Sequence, residues 1–310
     1  MKDNNILVSV MAELAIENGK PFPLEKTGPF DGDISNPEEY CFIALETALR
    51  GYQPGELIAA ASFGGYPAKG VRMFLLNTAL NAAVRGTHGG VMFLSMNTPV
   101  REIVKRFLSI LSGLSLPQIE GRGLNDKEWK TLCDAYFSLL GLDLLMPDIP
   151  DPYTDAIDAL LGREEHVGLV VIDSIQAMSE NDPDACRGFR DKNKSVACEL
   201  HGIAAEKRIA VLCGAVIPRP LHRGESERPS LVDFSRTVCD HEFAKVILFY
   251  GNARAPMELY AASVKKNRCG CCVREILAAD DSGRMSESPE LEELFGVFNF
   301  ITIPDDELPF

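Results

Sequence analysis

The chain has 310 residues, 46% of them hydrophobic and 25% charged, with a formal net charge of −14. That length makes one large or two modest domains, and no apolar run reaches the ~18 residues that cross a bilayer, so no membrane partner is expected. An acidic body is a poor non-specific binder of nucleic acid, because affinity for the phosphate backbone comes from Lys and Arg; a nucleic-acid role needs a local basic patch or neighbouring subunits.

The N-terminus, MKDNNILVSVMAELAIENGK, lacks a basic leader and a small-residue cleavage site, so it is not read as a signal peptide. Residues 6–17 within it have helical spacing. ELIAAAS (56–62) reads as a buried strand, VRMFLLNTALNAA (71–83) as a helix and GGVMFLS (89–95) as a second strand. TPVREIVKRFLSIL reads as a helix capped by Thr98 with Pro99 at its first position. NDKEWKTLCDAYFSLL reads as another, capped by Asn125 or Asp126. LDLLM (142–146) is a strand, DPYTDAIDALL a helix, HVGLVVIDSIQAM a strand ending at Asp173, residues 191–207 a helix and RIAVLCGAVI (208–217) a strand. AKVILFYGN (244–252), MELYAASVKKN (257–267) and CVREILAA (272–279) are three strands joined by tight turns. Strands alternating with helices, then a run of strands, predict an α/β fold with a mostly parallel sheet and added antiparallel strands.

Three regions follow: an N-terminal segment (1–39), a main domain (40–282) and a tail (283–310). From Asp280 onward there are nine acids and one base, Arg284. The chain has nine cysteines, three of them in CGCC (269–272), with no second Cys or His pair at zinc-ribbon spacing. Reduced thiols in a cytoplasmic protein are the simpler reading.

In GYPAKGVR (65–72) two glycines stand five apart, as in the phosphate-binding loop G-x-x-x-x-G-K-[ST]. Val71 and Arg72 stand where that loop has Lys and Ser or Thr. Together with LRGYQPGELIAAAS, the run through LNTALNAA, SLPQIEGRGLNDKEWKTL, GLVVIDSIQAM, ERPSLVDFS and VKKNRCG, this segment resembles the C-terminal, RecA-like motor domain of the DnaB-type replicative helicases. The resemblance runs from about Tyr40 to Asp281 and implies a P-loop NTPase core. It also implies a ring of six subunits, ATP bound between subunits, and channel-facing loops that hold single-stranded DNA. The N-terminal helix then stands where the family has a linker helix that docks on a neighbour; packing on its own domain is the other reading.

The same resemblance assigns roles. Gly65, Lys69, Gly70, Val71, Arg72 and Asp173 fall on the nucleotide site. Val71 cannot reach phosphate with a charge, and Arg72 cannot ligate Mg²⁺ as the family's hydroxyl does. Lys69 or Arg72 folding back onto a phosphate is an alternative that permits binding without metal-dependent hydrolysis. SFG (62–64) looks like an insertion ahead of the loop. Asn97 in FLSMNTP takes the place of the catalytic glutamate, and a neutral amide cannot act as general base. Gly214 and Ala215 stand where a γ-phosphate-sensing Gln is usual. Asp173 keeps the carboxylate that holds Mg²⁺ through water, or is a loop cap. Lys266 and Arg268 match a trans arginine finger, or form a solvated strand end. Arg219, His222, Arg223, Arg228 and Arg236 make the segment 218–236 locally basic, as a DNA-contacting loop or an ordinary connection.

The chain ends DDELPF. Asp305, Asp306, Glu307, Leu308, Pro309 and Phe310 resemble the acidic tip of bacterial single-stranded DNA-binding proteins, which recruits repair and replication enzymes. Physically, a terminal Phe fits an apolar pocket with a basic rim, and the acids add attraction; the alternative is an acidic end that contains LPF by chance. These observations predict a catalytically degenerate accessory factor in DNA replication or repair, acting through replication or repair proteins, and through single-stranded DNA, in a homo- or hetero-oligomer. An ATP-dependent helicase with an unusual nucleotide site and a nucleotide sensor without turnover are the alternatives. No cofactor is assigned; ATP and Mg²⁺, where bound, are expected to bind weakly.

Overall fold

A computed structural model describes residues 5–24, 41–149, 152–164, 166–179, 189–219, 228–238, 240–251, 258–266 and 274–288. The strands among these residues are β1 (Leu57–Phe63), β2 (Gly90–Leu94), β3 (Leu144–Leu145), β4 (Val167–Ile172), β5 (Ala210–Ile217), β6 (Lys245–Gly251), β7 (Glu258–Lys266), β8 (Arg274–Ala279) and β9 (Met285–Glu287). They form one sheet in the order β3-β2-β4-β5-β1-β6-β7-β8-β9. From β3 to β6 every pairing is parallel, and from β6 to β9 every pairing is antiparallel.

The helices are α1 (Asn5–Glu17), α2 (Ile43–Leu49), α3 (Tyr66–Arg85), α4 (Val100–Ser112), α5 (Leu116–Glu120), α6 (Asp126–Gly141), α7 (Thr154–Leu161), α8 (Phe189–Lys207) and α9 (Leu231–Val238). Strand alternation splits the apolar residues between two cores. Ile58, Ala60, Leu169 and Val171 join the core under α1, α2, α3, α4 and α6. Leu57, Ala59, Ala61, Val170 and Ile172 join the one under α7, α8 and α9. The central strands are apolar on both faces because helices cover both. This is the mostly parallel sheet with added antiparallel strands that the sequence predicts.

Three local expectations are corrected. Helix α4 starts at Val100, and Pro99 is its extended N-cap with ψ 137°. The strand expected over LDLLM shrinks to two residues, since as β3 it lies at the sheet edge and pairs only with Val91 and Met92. Helix α3 starts at Tyr66 rather than Val71, a change taken up below. The cap of α6 is Asn125, whose Oδ1 accepts from the Lys127 and Glu128 amides.

Helix α1 lays Leu7, Val10, Met11 and Leu14 against α4 and α6 of its own chain. Asn18 extends the attachment by accepting from the Gly123 and Leu124 amides at 3.0 Å each. The sheet continues past position 282 into β9, where Glu287 accepts from the Ala44 and Leu45 amides and so caps the start of α2.

Asn77 of α3 fastens the β8–β9 turn. Its Nδ2 donates to the Met73 and Gly283 carbonyls at 2.8 and 2.9 Å, and its Oδ1 accepts from the Met285 amide at 3.0 Å. Asn77→Leu strands the Met285 N–H and the Gly283 carbonyl in a buried place. It is expected to cost about 2 kcal/mol, read from the urea midpoint with an unchanged m-value.

Candidate nucleotide-site remnant

In a parallel α/β sheet, ligands bind where strands end and loops turn into helices. Here the C-terminal ends of β1, β2, β4 and β5 meet at Phe63, Leu94, Ile172 and Ile217. The chain leaves β1 through Gly64 and Gly65 and enters α3 at once. Gly65 has φ 90° and ψ −141°, backbone that favours glycine, and it serves as the N-cap of α3. No phosphate loop follows. Residues 66–70 are the first turns of a helix, with the Ala68 amide donating to the Gly65 carbonyl at 3.1 Å. The amides of Gly70, Val71 and Arg72 lie inside that helix, where each is used by the carbonyl four residues earlier. A phosphate needs just such amides turned outward.

Val71 is 5% exposed and belongs to the core under α3. Arg72 is exposed. With Gly65 and Lys69 it lines a cleft of about 640 Å³ between α3, α4 and the turn at 280–283. Asp173 is not among the residues lining that cleft. Its carboxylate is used elsewhere. Oδ1 accepts from the Met96 amide at 2.8 Å and Oδ2 from the Ser95 hydroxyl at 2.9 Å. The structure therefore gives Asp173 the loop-capping contacts that the sequence left open, tying the end of β4 to the end of β2. Asn97 sits exposed in that same short loop.

Gly214 touches the same strand end. A Cβ there would stand 2.4 Å from the Asp173 carbonyl oxygen and 2.8 Å from Leu75 Cδ1, so β5 needs glycine at this point. Ala215 is buried on the other face. A glutamine does reach the end of β5, from the turn after Asp173. Gln176 donates to the Val216 carbonyl at 3.0 Å and accepts from the Val216 amide at 3.3 Å. Both ends of its carboxamide are thereby occupied by backbone.

These residues do not fit a protein-held Mg²⁺. Arg72, expected at the place of the metal-binding hydroxyl, lines a cleft that Asp173 does not, and both Asp173 oxygens already accept hydrogen bonds. No three His, Cys, Asp or Glu side chains among the described residues converge as a metal site. Cys213 is fully buried and desolvation pushes its thiol up to about 12, which makes it inert. CGCC (269–272) lies outside the described residues.

The other predicted site residues separate. Lys266 ends β7 opposite Val246, at the end of the sheet where β6 begins, whereas Asp173 follows the C-terminal end of β4. Arg219, near the start of the predicted DNA loop, stacks over Phe63 at 5.0 Å, and Arg228, near its middle, over Tyr250 at 5.4 Å. Arg236 is exposed in the last turn of α9. Arg223, Arg268 and residues 305–310 lie outside the described residues. Sequence reasoning missed Arg106, Ser95 and Gln176. Arg106 looked like one more polar position on an amphipathic helix, yet it lines the cleft beside Arg72.

The family model for the DnaB-like helicase C-terminal domain matches residues 39–277. The chain belongs to this family. It is 25% identical over 248 residues to the replicative DNA helicase DnaB of Helicobacter pylori strain J99, a match covering 79% of this chain and 48% of the relative. It is 24% identical over 249 residues to a probable plasmid replicative DNA helicase of Chlamydia muridarum, covering 74% of this chain and 52% of the relative. The chain thus spans about half the length of the curated relatives it matches. Among solved structures, an isolated ATPase domain superposes with a TM-score of 0.72 at 17% identity, over 92% of this chain and 98% of that one. A DnaB-like replicative helicase solved for its interactions with primase gives 0.70 at 17% identity, over 79% and 61%. At these identities the two structures show the fold. No helix among the described residues is long and apolar enough to cross a membrane.

Proposed function

We propose that this DnaB-like domain keeps the motor scaffold without ATP hydrolysis and acts in DNA replication or repair by binding. The observation that carries this reading is α3: the segment aligned with the phosphate loop is helical from Tyr66, and Val71 is buried in place of the lysine. In phosphoryl transfer the lysine and the metal provide most of the charge stabilisation, and Asn97 removes the base as well.

Partners follow from the same family. One similar structure concerns a helicase and its interactions with primase. By analogy this chain joins replication or repair proteins, as a subunit of a homo- or hetero-oligomer. The place of Lys266, away from its own Asp173, supports a finger offered with Arg268 to a neighbouring subunit. The tip at 305–310 recruits proteins that recognise such tips. Contact with single-stranded DNA falls to the segment 218–236. Arg219 and Arg228 stack on Phe63 and Tyr250, which leaves Arg223 and Arg236 as the candidate phosphate contacts.

A second reading, nucleotide sensing without turnover, has one observation in its favour: Lys69, Arg72 and Arg106 line one cleft. Calorimetric titration with ATP separates the two. The binding-only reading expects no saturable heat with or without Mg²⁺. Saturable binding equal in both conditions supports the sensor, and binding that requires Mg²⁺ contradicts both.

A further inference from the structure

The cleft beside α3 has a basic rim and an apolar wall. Lys69, Arg72 and Arg106 supply the charge, and Leu116 and Pro117 the accessible apolar surface, Leu76 and Ile110 being buried. The Nε of Arg106 is buried without a hydrogen-bond partner among the described residues. A buried donor left unpaired is costly, so this atom calls for an acceptor. The positive end of α3 opens at the same place, through Gly65 and Ala68.

Two acids also line the cleft. Asp280 is occupied by its own turn, where Oδ1 accepts from the Ser282 amide, the Ser282 hydroxyl and the Arg284 amide at 2.9, 2.6 and 3.1 Å. Asp281 is exposed. The net charge of the rim remains positive in a chain whose total is −14.

The complementary segment belongs to the same chain. Residues 305–310, DDELPF, place three carboxylates beside Leu308 and Phe310, and Pro309 limits the conformations lost on binding. The last described strand, β9, follows directly on the turn at 280–283 that lines the cleft. Sixteen residues, 289–304, lie between the described fold and Asp305. Extended, they reach about 50 Å, so distance does not limit the contact. A tether of that length gives an effective concentration on the order of millimolar, which sustains weak contacts.

We infer that residues 305–310 dock in cis into this cleft, their carboxylates on Arg72 and Arg106 and their apolar side chains on the wall formed by Leu116 and Pro117. The former nucleotide side of the domain thereby becomes a seat for the chain's own acidic tip. A seated tip is hidden from other proteins, so recruitment through the tip is coupled to its release. The docking itself does not rest on the recruitment reading.

Hydrogen exchange read by mass spectrometry on the full chain tests it. Three variants accompany the parent: Arg72→Glu, which alters an exposed residue; Asp305→Asn/Asp306→Asn/Glu307→Gln, which lies outside the described fold; and Arg72→Glu/Asp306→Lys, which swaps the charges. The tail amides and the cleft face of α4 are expected to be protected together in the parent. Protection falls several-fold in the first two variants and at high salt, and returns in the swap. Tail amides that exchange at the rate of a free peptide overturn the proposal, as does protection indifferent to Arg72→Glu. Protection lost on dilution marks docking between copies and overturns the cis arrangement.

Discussion

Restoring the missing lysine is expected to weaken the protein rather than activate it. Val71→Lys places an ammonium where a 5% exposed valine packs in the core under α3, and a buried charge without a partner is among the few changes that cost several kcal/mol. Part of that cost is avoided as the lysine stem runs toward the surface. A loss of about 2 kcal/mol is expected, read as a lower urea midpoint. The triple change Val71→Lys/Arg72→Thr/Asn97→Glu restores the family's side chains and is expected to give no ATPase. The amides that would hold the phosphates remain inside the helix that starts at Tyr66. ATPase in the triple variant contradicts the helical reading of residues 66–70.

The second large effect lies at the other end of the central strands, where β1 and β6 begin. Lys245 and Glu56 form an ion pair in which the side chains are 4% and 5% exposed, and Lys245 Nζ also donates to the Gly51 carbonyl at 2.8 Å. Lys245 begins β6 and pairs with Ile58 of β1, so the pair joins two central strands. Removing one partner leaves a buried charge. Lys245→Ala is expected to cost about 3–5 kcal/mol, enough to unfold much of a marginally stable domain. Replacing both, as Lys245→Met/Glu56→Leu, removes the charges together and is expected to recover most of that loss. Equal destabilisation of the single and double variants in urea titration would show that the pair's hydrogen bonds, not charge burial, set the effect.

Much of the fold was legible because its signals are local in the sequence. β1, β4 and β5 are continuous apolar runs, as strands covered on both faces must be, and the reciprocal cap of α6 between Asn125 and Glu128 stands in the sequence as written. The site was less legible because its outcome depends on spatial partners. After Pro67, GYPAKGVR holds only Gly70 against a helix, a modest cost, and a proline at the first turn favours one. The glycine pair therefore satisfies a loop pattern while the chain folds as helix. Asp173 stands where the resemblance expects a carboxylate, yet Ser95 and Met96, which occupy it, come from a strand end far away in sequence. Arg106 showed no motif of its own, and only the crossing of α3 and α4 brings it beside Arg72.

The central claim is that a DnaB-like scaffold persists here without hydrolysis. The most direct measurement is ATP turnover by the purified chain in the presence of Mg²⁺ and single-stranded DNA, beside Asp173→Ala prepared in the same way. The account predicts no turnover above background in either protein and no stimulation by DNA. DNA-stimulated turnover that Asp173→Ala abolishes would contradict it.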